Sequence, residues 1–184
     1  ADLVRLAKAK PGELNYSTGS TGSSTHISGE LFKSLAGVNM VRVPYNDAKE
    51  VPDLLSGQLQ LTFGGATQWN ALINAGKLRA LATTGSKRSA FFPDLPLVSD
   101  TLPGYVSEQL LGLLAPAKTP EAIIRRLNEV SARALDRPEV SDRILKSGLE
   151  PGGGTSEQFA DSIKTEMARV EKIIRDAGGK PANQ

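Results

Sequence analysis

The chain has 184 residues, 39% hydrophobic and 23% charged, with a formal net charge of +2 and no cysteine. That length holds one domain or two small ones, and the missing cysteines exclude disulfides and thiolate metal sites. Scattered Lys and Arg, only 5% aromatic residues and no apolar run near the roughly 20 residues of a membrane span leave no footprint for nucleic acid or a bilayer.

Residues 1–12 read as the end of a helix. Leu3, Leu6 and Ala7 keep helical spacing and Pro11-Gly12 stops it. They lack the cationic start and long apolar core of a signal peptide. A chain that opens inside an element is expected to be a fragment or a processed product. From Gly12 a rhythm of strand, loop and helix begins. "ELNYS" is a short strand, a polar run follows, and "HISGELFKSLAG" is a helix with Ile27, Leu31 and Leu35 on one face, ended by Gly37. "VNMVRVPY" is the next strand, rich in β-branched residues. In "DAKEVPDLLSG", Asp47 and Glu50 form an approximate capping box, and Pro52 implies a short or distorted first turn. "LQLTFG" alternates as a strand, "TQWNALINAG" is a helix capped by Thr67, and "LRALATT" is another strand.

Residues 85–105 carry three prolines and no periodicity, and read as a long irregular connection. "LLGLLAPA" then reads as a strand buried on both faces. Three helices finish the chain. The first starts at Thr119-Pro120, the second is "PEVSDRILKSG", and the third opens on a Thr155/Gln158 capping box and ends at Gly178-Gly179. One strand is too little sheet for the apolar faces of three helices. The fold class is α/β with a parallel sheet. Its crossovers bring three loops, 17–25, 44–47 and 64–67, to the strand ends where open α/β sheets bind ligands.

The candidate site centres on Ser17–Ile27, with four serines, three threonines, two glycines and the only histidine. Composition alone allows a flexible linker. A place between a strand and a helix favours an anion nest built from Ser17, Thr18, Gly19, Ser20, Thr21, Gly22 and Ser23, with the helix N-terminus behind it. It suits a carboxylate or a phosphate, and it is neither a P-loop nor a nucleophile elbow. His26 is three positions from Ser23, poor geometry for a base facing a nucleophile, and is expected to be neutral. No catalytic residue, metal ligand or cofactor is assigned. Tyr45 and Asn46 on the second loop, and Ala66 and Thr67 on the third, complete the ligand-binding set. Asp47 is expected to act mainly as a helix cap.

Five segments in order resemble the Bug-type solute-binding proteins of tripartite tricarboxylate transporters: "KPGELNYSTGSTGSSTHISGELFKSLAG", "VPYNDAKEVPDLLSGQLQLTF", "GKLRALATTGSKR…FPDLPLVSDTLPGY", "LLAPAKTPEAIIRRLNE" and "GLEPGGGTSEQFADSIKTE". Together they cover essentially the whole chain. Asn46-Asp47 stands where the family usually has Lys-Gly. The resemblance implies a periplasmic-binding-protein-like (type II) fold of two α/β lobes around a cleft, in a periplasmic, non-enzymatic receptor. Such a receptor closes on a small organic acid, a di- or tricarboxylate or an amino acid, and delivers it to membrane permease subunits. It also implies that the chain lacks the family's N-terminal segment. Residues 1–12 would be a truncated lead-in helix, 13–108 the second lobe with its ligand loops, and 109–184 the C-terminal strand and helices of the first lobe. A chain so truncated is expected to self-associate. Three alternatives remain at this point: the cytoplasmic effector-binding domain of a transcription regulator, an enzyme acting on an anionic substrate, and a protein-interaction role for the lobe alone.

Overall fold

In the computed structural model, which describes residues 1–176, the chain divides into two compact units, 1–109 joined by the chain from Val170, and 110–169. The first unit holds α1 (Asp2–Ala9), β1 (Asn15–Thr18), α2 (Ser24–Ala36), β2 (Val41–Pro44), α3 (Glu50–Ser56), β3 (Leu61–Thr62) and α4 (Ala66–Asn74). The second holds α5 (Glu121–Leu135), α6 (Pro138–Lys146) and most of α7 (Ser156–Asp176). Gly178-Gly179, the anticipated end of α7, lies outside the described residues.

β1 is the central strand of a three-stranded parallel sheet of order β2-β1-β3. Tyr16 stands beside Arg42 and Leu61, and Ser17 beside Val43 and Thr62. Side chains alternate across a strand, so Tyr16, Thr18, Arg42 and Leu61 share one face and Ser17, Val43 and Thr62 the other. The first face carries the core. Tyr16, Phe32, Ala36, Met40, Leu61, Leu102 and Tyr105 are buried together, with Ala7 of α1 among them. Phe63 meets Tyr16 edge-on with ring centres 6.1 Å apart, and Phe32 lies 5.9 Å from Phe63. α2 approaches β1 through Gly29, where a Cβ would lie 2.2 Å from Tyr16 Cε2.

Several elements differ from expectation. On α2 the inward stripe is Ile27, Phe32 and Ala36, while Leu35 is exposed. Steps of four residues overrun a 3.6-residue turn by about 40° each, so Leu35 has rotated out of the stripe. α3 begins at Glu50, with Lys49 at its cap position and no side-chain cap. Pro52 therefore falls in the first turn, where a missing N–H costs nothing. Asp47 accepts from Lys49 N instead, closing a local turn. Thr67 does not cap α4, whose cap position is Gly65. "LRALATT" forms no strand; only Thr83 bridges to Leu97.

"LLGLLAPA" is not a strand among the described residues, and it is not buried: Leu113 and Leu114 are 81% and 82% exposed. Among the described residues the second unit has no strand of its own to pair with it, and an apolar sequence gains burial only from a partner. Ile123, Leu127 and Val130 of α5 and Met167 of α7 are exposed as well. The capping box of α7 is formed: Gln158 N donates to Thr155 Oγ1 and Thr155 N donates to Gln158 Oε1.

Candidate functional site

All three sequence-predicted loops leave the carboxyl ends of parallel strands in the first unit. The loop after β1 is tied internally. Gly19 N donates to Thr25 Oγ1 at 2.8 Å, Ser23 N donates to Ser20 O, and Gly22 N donates to His26 Nδ1 at 3.0 Å. Ser23 caps α2, its Oγ accepting from His26 N. Gly22 has a φ of +85°, a conformation that favours glycine. The N–H groups of Gly19, Gly22 and Ser23 thus close the loop on itself. Those of Ser20, Thr21, Ser24 and Thr25 keep no partner among the described residues. These four open donors sit at and just before the positive end of α2, on exposed Ser20, Thr21 and Ser24 and half-buried Thr25.

Ser17 and Thr18 play other parts than expected. Both are buried on β1. Ser17 Oγ donates to Glu50 Oε1 at 2.7 Å, and Glu50 also accepts from Thr62 Oγ1 at 3.0 Å and Gln68 Nε2 at 3.4 Å. Glu50, absent from the predicted set, therefore fastens β1, β3 and α4 to α3. Thr18 Oγ1 donates to Gly19 O and accepts from Arg42 Nε.

His26 lies against Glu30, Nε2 to Oε1 4.0 Å. Burial, then the charge of Arg42, holds its pKa below the usual histidine value, against the pull of Glu30. With Nδ1 accepting from Gly22, the neutral imidazole carries its proton on Nε2. Burial would push Glu30 up, but hydrogen bonds from Tyr16 and Lys33, and the charge of Lys33, hold it below the usual carboxylate value. Burial and the Glu30 bond in turn raise the Tyr16 phenol far above its ordinary value. This cluster fixes the underside of α2, and sequence periodicity could not show it because its members lie on β1, α2 and β2.

On the second loop Tyr45 donates its hydroxyl to Asp53 at 2.5 Å, which pushes its pKa up to about 12. The phenol is thus turned to α3. Asn46 is exposed, with no side-chain bond among the described residues. On the third, Ala66 opens α4, Thr67 is exposed, and Gly64 leaves room for Trp69, whose indole nitrogen would lie 2.2 Å from a Cβ there. The glycine serves packing. A shallow apolar recess of about 550 Å³, lined by Ile73, Leu78, Phe91 and Phe92, lies away from these loops. No group of three His, Asp or Glu side chains with metal-holding geometry occurs among the described residues.

Unused donors at a helix N-terminus offer favourable contacts to an anion. Residues 1–178 match the family model described as the tripartite tricarboxylate transporter family receptor. The chain belongs to that family. BugT of Bordetella pertussis is 31% identical over 97% of this chain and 55% of its own length, in keeping with the Bug-type resemblance of the sequence. The solved structure of R. palustris Rpa4515 with adipate is 35% identical, with a TM-score of 0.85 over 98% of this chain and 61% of that one. MatC from Rhodopseudomonas palustris with bound malate is 26% identical, with a TM-score of 0.70 over 94% and 60%. The fold is therefore the α/β periplasmic-binding-protein-like one. The chain spans about half the length of the curated relatives it matches.

Proposed function

We propose that the chain is part of an extracytoplasmic receptor for a small organic carboxylate, a di- or tricarboxylate or an amino acid, that feeds a tripartite tricarboxylate-type transporter. The observation that carries this reading is the set of open N–H groups on Ser20, Thr21, Ser24 and Thr25 at the start of α2. Backbone donors at a helix N-terminus meet a carboxylate without a proton to transfer. The adipate- and malate-bound neighbours support the ligand class. The role is binding and release, with no catalytic step. In this proposal the receptor works in the periplasm, a reading supported by the solved structure of a periplasmic transporter at 30% identity, and its partners are the permease subunits. In the same proposal residues 13–108 form one lobe and 109–184 belong to the other. The ligand meets Ser20, Thr21 and the exposed parts of the second and third loops, Asn46 and Thr67, while Ser17, Thr18, Gly19, Gly22, Ser23, His26, Tyr45 and Ala66 shape the seat. No observation favours a regulator domain or an enzyme.

Calorimetric titration of the full-length receptor with adipate, malate and citrate tests this. Binding of at least one, weakened by Thr21→Pro, which removes an open N–H, is the expected outcome. If all three acids give no heat, the receptor reading fails; if binding is untouched by Thr21→Pro and by Ser20→Ala with Thr21→Ala, the loop is not the seat.

A further inference from the structure

Sequence reading placed no cation at the ligand loop. The structure places one there. Arg42, on β2, reaches under the loop and grips it with its fork: Nε donates to Thr18 Oγ1 at 2.9 Å, Nη2 to Gly19 O at 3.2 Å and Nη1 to Thr21 Oγ1 at 3.3 Å. All three acceptors are neutral. They satisfy N–H groups without cancelling the charge, and two of the five guanidinium N–H groups remain outside these bonds. Among the described residues no carboxylate oxygen lies within 4 Å of Arg42. The nearby carboxylate, Glu30, is taken by Tyr16 and by Lys33, whose ammonium matches its charge. His26 accepts from Gly22 at Nδ1 and is neutral. Glu50, held by neutral donors only, lies on the Ser17 face of β1; on the Tyr16 and Thr18 face, where α2 packs, the Arg42 charge adds to the positive end of that helix. Arg42 is only partly exposed, so water screens it less than a surface cation.

We infer that Arg42 is the residue by which this loop selects an ionised carboxylate over a neutral group of the same shape. This rests on the receptor reading. The fork also positions the loop, because Thr18, Gly19 and Thr21 are held by the same guanidinium. Charge selection and loop positioning are separable, since lysine keeps the first and loses the second.

The test compares two probes on the full-length receptor, the best bound of adipate, malate and citrate and its fully methylated ester. The acid presents an ionised end to Arg42 in either orientation, whereas the ester presents none. In the wild type the ester binds about tenfold or more worse, in line with a lost charge-assisted hydrogen bond. Arg42→Gln narrows that preference toward parity, and Arg42→Lys retains most of it even where overall affinity and the melting temperature fall. Arg42→Met, neutral and of similar length, gives the same reading if the glutamine variant does not fold. If the preference persists in Arg42→Gln or Arg42→Met, or if lysine and glutamine lose it equally, the inference is overturned while the receptor reading stands. If the wild type binds none of the three acids, both fall.

Discussion

The two compact units bury their apolar residues very differently. In the first, a sheet of three strands is enough to bring Tyr16, Phe32, Met40, Leu61 and Tyr105 into one buried cluster. In the second, α5 and α6 have well-separated apolar and polar faces, yet neither buries a residue. "LLGLLAPA" carries a strand-like sequence and forms none. An amphipathic pattern states which face wants burial; it does not provide the surface that buries it. The first unit has that surface within its own chain segment, because each β-α-β step places a helix over the strands it connects.

The largest difference is expected between two truncations, one in each unit. Phe32→Ala removes a ring from the first unit's core and lowers unfolding stability by about 3–5 kcal/mol. Leu113→Ala trims an exposed side chain and changes stability by less than about 0.5 kcal/mol. Urea unfolding followed by far-ultraviolet circular dichroism reports on the helices of both units, and the fluorescence of Trp69, the chain's single tryptophan, on the first. Equal losses would show that Leu113 has a burial partner. In that urea series, self-association driven by the exposed leucines appears as a midpoint that rises with protein concentration for the 184-residue chain, and that Leu113→Ser with Leu114→Ser flattens.

Gly29→Ala comes next. It forces a methyl group into the Tyr16 ring and costs about 1–3 kcal/mol, because α2 must back away from β1. A wild-type melting temperature in this variant would mean that α2 is not pressed on the sheet. Ser23→Ala removes the cap of α2 and costs about 1 kcal/mol. The contrast with Thr155→Ala, which breaks the capping box of α7 in the second unit by a similar amount, shows whether the two units unfold together.

The smallest expected effects concern pH, where only the direction is fixed. Both His26 and Glu30 have folded pKa values below their ordinary ones. A depressed group binds a proton more readily when unfolded, so its stabilisation is full above the unfolded value and fades as pH falls through the folded one. Stability should therefore drop first on acidification below about 6.5 as the unfolded histidine charges, and again below about 4.5 as the unfolded glutamate does. Replacing His26 with Gln removes the first step and leaves the second; a first step that survives the substitution would have to come from another group.

The site was legible only in outline. Gly22, Ser23 and the polar run were visible because a loop between a strand and an amphipathic helix has few ways to satisfy its backbone. The buried use of Ser17 and Thr18 was not, since a serine offered to a ligand and a serine bonded to Glu50 are the same letter. Arg42 and Glu50 sit 21 and more residues from the loop residues they hold, apart from Thr62, Gln68 and the strand neighbours, and no local pattern announces them.

By itself the sequence determined the α/β class, the helices, the strands around Tyr16 and Val43, and the family, since each rests on periodicity, turn residues or segment order along the chain. Tertiary structure decided where the hydroxyls point, which carboxylates are already engaged, and that the Arg42 guanidinium holds the loop after β1. Those are matters of pairing between segments distant in sequence, and a hydrogen bond or a charge is satisfied or left open only by what the fold brings next to it.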